Sequence, residues 1–436
     1  MSDRGTARAK ARGQLKLWRF DPRKRSAGLY RTDAFSACFQ ISPSCNELAP
    51  FNPGGSRRTL RAEGNSRLPV ILWGLTLPLN DMRDDEIHSA GGFSWYVNCG
   101  MPALGELAGV PLHLLFQEAD AVIDAWRRGV PIAREMFGPD IEFFPPLWAH
   151  ISYGHVHSLG CPLKFPEDSD VGCTPIYDSL DEGIRALGRD VDFSRQGLFP
   201  HYLDVWRRIR RALPHEHVPF AGFEAEGPIT TAWLLRGQGF FTDLYDAPDG
   251  AGEFLRLVTD SIIRYKRTIA AINGQTLPPE EAHIADDGAA MIPPGLWPVF
   301  VVPLLDRYYA GMGCRRRLAH IENLVPDHLP FLHELGIDLF DPSVSPKLTP
   351  ALVRDRARVP FLWRLNAMHI RDWPEPRIER WAYESAAQGA AGLFAHIERI
   401  TCCASGAARI KTFMRTARQI ESLLRGGRRR DQLLDS

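Results

Sequence analysis

The chain has 436 residues, of which 44% are hydrophobic and 24% charged, so it is long enough to bury a large core. Its 52 lysines and arginines balance 52 aspartates and glutamates, which excludes a general electrostatic attraction to nucleic acid or to an anionic membrane. Since no stretch reaches the ~20 apolar residues that span a bilayer and the eight cysteines form no CxxC pair, we expect a cytoplasmic protein with reduced thiols.

Both ends of the chain are basic. Residues 1–68 contain many arginines and lysines and few acids, a composition that predicts a disordered basic tail. Residues 425–436 form a second basic tail, which follows a helical pattern ending near Leu424. The segment from 69 to 424 is therefore the predicted folded domain.

The pattern changes once within that domain. Residues 69–145 are predicted as a mostly helical lead-in, and the helical pattern continues to about residue 215, interrupted by a predicted strand at Leu147–Tyr153. Beyond residue 215, short apolar runs alternate with helix-length segments. These runs span 218–223, 282–286, 317–321, 336–341, 360–365 and 391–397.

Such alternation is typical of parallel strands with helical crossovers, and it predicts a (β/α)8 TIM barrel with a helical extension before it. Seven strands are accounted for, and the eighth is either irregular or hidden in the helical regions. An open doubly wound sheet is the competing fold, although no glycine-rich phosphate-binding sequence follows a predicted strand.

A histidine and a carboxylate end one of the predicted strands. His320 and Glu322 are two residues apart and therefore point to the same side of it, where they could bind one divalent metal ion. Cys402 or Cys403, after the last strand, is the candidate third ligand, with His396 and Glu398 as rivals. A hydrogen-bonded histidine and two packed cysteines are the structural alternative.

Two pairs of acids follow predicted strands. Only one of the adjacent residues Asp286 and Asp287 can face the barrel interior, and the other is expected to cap the segment that follows. Glu224 and Glu226 lie on one side of their strand, with Glu224 nearer to it. Glu224 and Asp286 are the candidate acids or bases, with Asp287 as a substrate contact; structural roles are the alternative.

Other polar residues lie at strand ends, where barrel enzymes place their chemistry. They are Tyr153, Asp341, Arg364 and Asn366. We interpret them as candidate substrate contacts, and Arg364 as a candidate clamp for an anionic group, although an arginine paired with a neighbouring acid is the commoner outcome.

Several stretches together resemble the uroporphyrinogen decarboxylase superfamily. They are Gly222–Thr230 with Phe241-Thr242-Asp243-Leu244, Ile284–Ala290, Leu318–Asn323 and Leu335-Gly336-Ile337-Asp338, within residues 100–424. The arginine loop and the Phe-Ser-Asp segment of the porphyrinogen decarboxylases are missing. The chain is therefore more similar to the corrinoid-linked methyltransferases, which have a His-x-Cys pair where this chain has His320-Ile321-Glu322 and a later cysteine where it has Cys402-Cys403.

This resemblance implies metal-assisted transfer of a methyl group between a small methylated substrate and a corrinoid on a partner protein. It implies a zinc ion on His320, Glu322 and Cys402, with a carboxylate in place of one thiolate, and a homodimer. A porphyrinogen carboxy-lyase acting on a tetrapyrrole and a non-catalytic binding barrel are the alternatives.

Overall fold

The computed structural model describes residues 92–434 and, before them, the two short strands Ile71–Leu72 and Leu75–Thr76, which pair antiparallel. The predicted basic tail at residues 1–68 lies outside the described residues. Most of the lead-in before residue 92 lies outside them too.

Parallel strands form the centre of the described part, and we number them along the chain. They are β1 (Ser94–Cys99), β2 (Glu142–Phe143), β3 (Glu281–Ala285), β4 (Arg316–His320), β5 (Leu339–Asp341), β6 (Leu362–Leu365) and β7 (Gly392–Ile397). β7 pairs with β6 and β1, and β1 with β2, while β4 lies between β3 and β5. A bridge from Phe340 to Phe361 joins the two groups.

Two irregular segments complete the ring between β2 and β3. Ile151, which follows β2, bridges to Phe223 in a parallel sense, and its N–H donates to the Gly222 carbonyl at 2.7 Å. The Gly227 N–H then donates to the Ala285 carbonyl of β3 at 2.6 Å. β2 and Ile151 together count as one strand position of the ring, and Phe223 counts as the next. The ring then has eight strand positions, which confirms the predicted (β/α)8 barrel.

The strand that the sequence pattern left unplaced is β1, inside the predicted helical lead-in. Its polar residues Ser94 and Asn98 interrupt the apolar run, which explains why periodicity did not reveal it. Of the strand predicted at Leu147–Tyr153, only Ile151 takes part in pairing, and a short helix begins at Gly154.

Helices cover the outside of the barrel. In chain order they are Met101–Ala108, Leu112–Leu115, Ala119–Phe137, Gly154–Ser158, Leu180–Leu187, Phe199–Ala212, Pro228–Arg236, Gly239–Asp246, Pro248–Ile272, Trp297–Phe300, Val302–Met312, Pro330–Glu334, Pro350–Ala357, Ala367–Asp372, Glu375–Ala387 and Ala404–Arg425. Among the described helices, none has the length and apolar character needed to cross a membrane. The cytoplasmic location stays a prediction.

The helix Ala119–Phe137 packs closely against Met101–Ala108 at Gly129. A Cβ atom there would lie 2.6 Å from the Leu104 carbonyl oxygen. We therefore expect Gly129→Ala to lower the free energy of unfolding, measured in urea, by about 1–3 kcal/mol. Gly252→Ala is the matched control, because Gly252 lies in a different helix, Pro248–Ile272, and no atom lies within 4 Å of its Cβ position. This variant should raise the free energy of unfolding by about 0.5–1 kcal/mol. Equal stabilities would contradict the close packing.

The end of the chain packs onto the domain. After the helix that ends at Arg425, residues 430–434 form a 3-10 turn with Leu433 buried. The Arg430 guanidinium donates to the carbonyls of Ala386 and Ala390 at 2.9 and 2.8 Å. This part of the predicted basic tail is therefore held against the helix Glu375–Ala387 and the residues after it.

Candidate active site at the barrel mouth

His320 is held in one orientation at the C-terminal end of β4. Its Nδ1 lies 2.8 Å from Oδ2 of Asp341, which ends the neighbouring strand β5, and the two residues are paired in register. Asp341 is itself fixed, because its other oxygen accepts from the Ser343 N–H at 2.7 Å. A carboxylate on one ring nitrogen sets the tautomer and direction of an imidazole, so Nε2 of His320 is the atom presented to the mouth.

Two more carboxylates face that nitrogen. Oδ1 of Asp287 and Oε1 of Glu322 each lie 3.8 Å from Nε2 of His320. The same Asp287 oxygen accepts from the Glu322 N–H at 2.8 Å, which ties together the loops that follow β3 and β4. Sequence analysis predicted Asp287 and Asp341 as substrate contacts. The structure places Asp287 beside His320 and gives Asp341 the role of orienting it.

The surroundings favour a protonated His320. Burial lowers the pKa of the imidazole, but the charge and hydrogen bond of Asp341, with Asp287 and Glu322, outweigh it and raise the pKa to about 9. Burial raises the pKa of the Glu226 carboxyl to about 8, helped by the charge of Asp287. At neutral pH these shifts favour an imidazolium at His320 and a protonated carboxyl group at Glu226.

The backbone is strained next to these side chains. Asn323, directly after Glu322, has φ of 61°, and Ser343, two residues after Asp341, has φ of 42°. Residues other than glycine rarely adopt this left-handed region, and such strain is concentrated at functional sites. The Asn323 N–H donates to the Ser345 hydroxyl at 2.8 Å, so the two strained loops are bonded to each other.

Arg364, the predicted clamp for an anionic group, is already paired. Its guanidinium donates to Oε1 of Glu398 at 2.8 Å and to the Ser343 hydroxyl at 3.1 Å. Asn366, a second predicted substrate contact, caps the helix Ala367–Asp372 by accepting from the Met368 N–H at 2.8 Å. Arg364 and Asn366 therefore each have a partner within the protein. The third predicted contact, Tyr153, lies just before the helix Gly154–Ser158, where burial and the charge of Glu226 raise its pKa.

The structure brings together two of the three predicted zinc ligands, and not the third. His320 and Glu322 share the site, but the Cys402 thiol faces the backbone carbonyls of Glu398 and Ala103, at 3.5 and 3.8 Å. Burial raises the pKa of the Cys402 thiol to about 12. Within residues 92–434, no three histidine, cysteine or acidic side chains are grouped to hold a metal ion. The predicted set of His320, Glu322 and Cys402 therefore does not fit zinc here.

The rivals for the third position also have other contacts. The Cys403 Sγ lies 3.4 Å from the Ser405 hydroxyl, and Glu398 is the partner of Arg364. His396 is on β7, and burial together with the charges of Arg364 and His320 lowers its pKa well below the usual value.

The two predicted catalytic acids have structural partners. Asp286 is fully buried and accepts from the N–H groups of Ile229 and Thr230 at 3.1 and 2.8 Å and from the Thr230 hydroxyl at 2.8 Å. It thus accepts hydrogen bonds from the first turn of the helix Pro228–Arg236. Glu224 forms an ion pair with Lys266, and both side chains are largely buried. Neither set of contacts supports the predicted catalytic roles.

Sequence analysis placed Glu224 and Glu226 on one side of their strand and predicted Glu224 as the candidate acid or base, but the surroundings of the two carboxyl groups differ. Burial raises the pKa of Glu224, but Lys266 outweighs it and leaves the pKa below the usual value. Glu226, by contrast, is hydrogen-bonded to Ser152 and interacts with Asp287 and His320. Alternation along the strand could not separate the two, since the decisive partner, Lys266, comes from the distant helix Pro248–Ile272.

The Lys266–Glu224 pair provides a stability test. Lys266→Met should lower the free energy of unfolding by about 3–5 kcal/mol, because it leaves a buried carboxylate without its cation. The double variant Lys266→Met/Glu224→Gln should regain much of that loss, and urea unfolding of the wild type, both single variants and the double variant measures the coupling. A double variant whose loss equals the sum of the two single losses would show that the pair does not interact.

Comparisons with known proteins agree with this architecture. Residues 153–358 match the family model described as Uroporphyrinogen decarboxylase (URO-D). A solved structure, a methyltransferase from Methanosarcina mazei, superposes with a TM-score of 0.54 at 15% identity, covering 74% of this chain and 94% of that one. No curated protein matches the sequence. Residues 153–358 are thus similar to the uroporphyrinogen decarboxylase family, which confirms the predicted resemblance, and at this identity the methyltransferase supports the fold alone.

Proposed function

We propose that this protein is a methyltransferase that moves a methyl group between a small substrate and a corrinoid carried by a partner protein. The observation that carries the proposal is the His320 centre, in which a buried imidazole is oriented by Asp341 and faces Asp287 and Glu322. The fold shared with a methyltransferase is consistent with it.

The chemistry follows from the proton at Nε2. When a methyl group leaves an oxygen or nitrogen atom of the substrate, that atom keeps the electron pair of the broken bond and needs a proton. A protonated His320 can supply it, while Asp341 holds the ring in place, as the carboxylate does in other His–carboxylate pairs. In the reverse direction the neutral imidazole accepts the proton of the methyl acceptor. A docked corrinoid supplies the centre that exchanges the methyl group.

The charges of the described residues at the barrel mouth favour a neutral or cationic substrate. Asp287, Glu322 and Asp341 surround His320, and Arg364 is neutralised by Glu398. A porphyrinogen carries several carboxylates, which these acids would repel. The observation therefore favours methyl transfer over the carboxy-lyase alternative.

Two assays on the same preparation test this proposal. Methyl transfer from methylated amines, alcohols and ethers to reduced free cobalamin is followed by its absorbance, and uroporphyrinogen decarboxylation by release of carbon dioxide. We expect methyl transfer with at least one donor and no decarboxylation. Decarboxylation alone would establish the carboxy-lyase, and the absence of both activities would favour a binding barrel; either result contradicts the proposal.

The zinc ion, the corrinoid partner and the homodimer stay predictions of the resemblance. Metal content of untagged protein, measured by plasma mass spectrometry, tests the first of them. About one zinc ion per chain that is lost in His320→Ala would restore the zinc prediction, with a rearranged third ligand. Metal-free protein with methyl transfer would leave His320 as a proton donor only.

A further inference from the structure

A second polar cluster lies inside the barrel on β1 and β7. The Trp95 indole N–H donates to Glu421 of the outer helix Ala404–Arg425 at 2.9 Å, so Trp95 faces outward. Because side chains alternate along a strand, Tyr96 and Asn98 face the barrel interior. In register, Tyr96 pairs with Phe394 and Asn98 pairs with His396.

The Asn98 side chain is buried and has no hydrogen-bond partner among the described residues. It is only 1% exposed, and neither its amide nitrogen nor its oxygen has a partner in the part of the chain that the structure describes. Nδ1 of the neighbouring His396 also has none among the described residues. Buried polar groups are nearly always satisfied, since an unsatisfied one costs about 1–3 kcal/mol. Such an amide therefore points to a ligand that supplies both a donor and an acceptor.

Aromatic rings flank this amide. Tyr96 and Phe394 stack with ring centres 5.0 Å apart and an angle of 21° between their planes, and Phe144 lies 5.9 Å from the His396 ring. Glu142, paired in register with Asn98, is the acid on its other side, and burial raises its pKa to about 7. Aromatic rings beside one amide and a carboxyl group suit a planar neutral ligand more than an anion.

We propose that the substrate carries a neutral planar group with adjacent hydrogen-bond donor and acceptor, a carboxamide or lactam, which pairs with the amide of Asn98 inside the barrel. The Asn98 amide donates to the carbonyl oxygen of this group and accepts from its N–H, as asparagine does when it binds a nucleobase edge in two places. This inference names the substrate class of the proposed methyltransferase and rests on that function. Its test uses binding alone, so the two can fail separately.

The probe is benzamide, with N,N-dimethylbenzamide and benzoate as matched compounds, titrated into the full-length protein by calorimetry. We expect benzamide to bind, and the dimethyl compound and benzoate to bind at least about tenfold more weakly, the value of one lost hydrogen bond. Asn98→Leu should weaken benzamide binding by about tenfold or more. Its Tm should stay within about 2 °C of the wild type or rise, because an unsatisfied polar group is replaced by an apolar one.

The matched control is Asn273→Leu. The Asn273 side chain accepts from the Phe220 N–H at 2.7 Å and donates to its carbonyl at 3.0 Å, so this variant should lower the Tm and leave benzamide binding unchanged. The proposal is overturned if the wild type does not bind benzamide or if Asn98→Leu binds it equally well. A Tm of Asn98→Leu lowered as far as that of the control would also overturn it, since the amide would then be structural.

Discussion

Replacing His320 with glutamine is expected to reduce methyl transfer by about 10²–10⁴-fold, the usual contribution of a positioned acid or base. Glutamine can keep a hydrogen bond to Asp341, which lies 2.8 Å from the histidine, but it cannot donate and recover a proton. The rate of methyl transfer to cobalamin measures the loss. The control is His333→Gln, an exposed histidine of the helix Pro330–Glu334, which should keep full activity. A His320→Gln enzyme as active as this control would eliminate proton transfer by His320.

Because His320 titrates, we also expect the methyl-transfer activity to depend on pH. The pKa of His320 is raised to about 9, chiefly by Asp341 acting against burial, so the protonated form persists at neutral pH. Activity that needs the imidazolium should therefore be lost as the pH rises through about 9. The stability that the interaction contributes is fully present below the unfolded pKa near ~6.5 and is lost over the same upper range. Asp341→Asn should move the alkaline loss of activity to lower pH, and a profile that does not move would refute the coupling.

Replacing Asp286 with alanine is expected to lower the free energy of unfolding by about 3–5 kcal/mol, because a fully buried hydrogen-bonded carboxylate is removed. The change leaves the N–H groups of Ile229 and Thr230 and the Thr230 hydroxyl without their acceptor inside the barrel. It also opens a space beside Gly227, whose Cβ position would lie 2.5 Å from the Cγ of Asp286, an atom that alanine lacks. Urea unfolding measures the effect.

Asp192→Ala is the matched control for that experiment. The Asp192 carboxylate also accepts from a backbone N–H, that of Ser194 at 3.2 Å, but on the exposed surface. Its loss should cost about 1 kcal/mol or less. If both variants lose the same stability, burial is not what makes the Asp286 cap important, and a catalytic role for Asp286 would have to be considered again.

The positions of the later strands could be predicted from sequence because each contains several buried apolar residues. The apolar runs at 282–286, 317–321, 360–365 and 391–397 correspond to β3, β4, β6 and β7. Strand β1 was missed, since Asn98 on its inner face breaks the apolar pattern. Local hydrophobicity therefore finds strands that contain a long apolar run, and it misses a strand whose run is interrupted by polar residues.

The sequence by itself determined the barrel, the resemblance to the superfamily and the side of β4 on which His320 and Glu322 lie, because these follow from local periodicity and from motifs of adjacent residues. Only the tertiary structure decided which acids are free to do chemistry. Lys266 neutralises Glu224, and Asp341 orients His320 from a neighbouring strand. The carboxylate of Asp286 accepts hydrogen bonds from the N-terminus of the helix Pro228–Arg236. These partners are 21 to 57 residues apart along the chain. Charge and hydrogen bonding act through space, so the role of each carboxylate depends on contacts that no local pattern records.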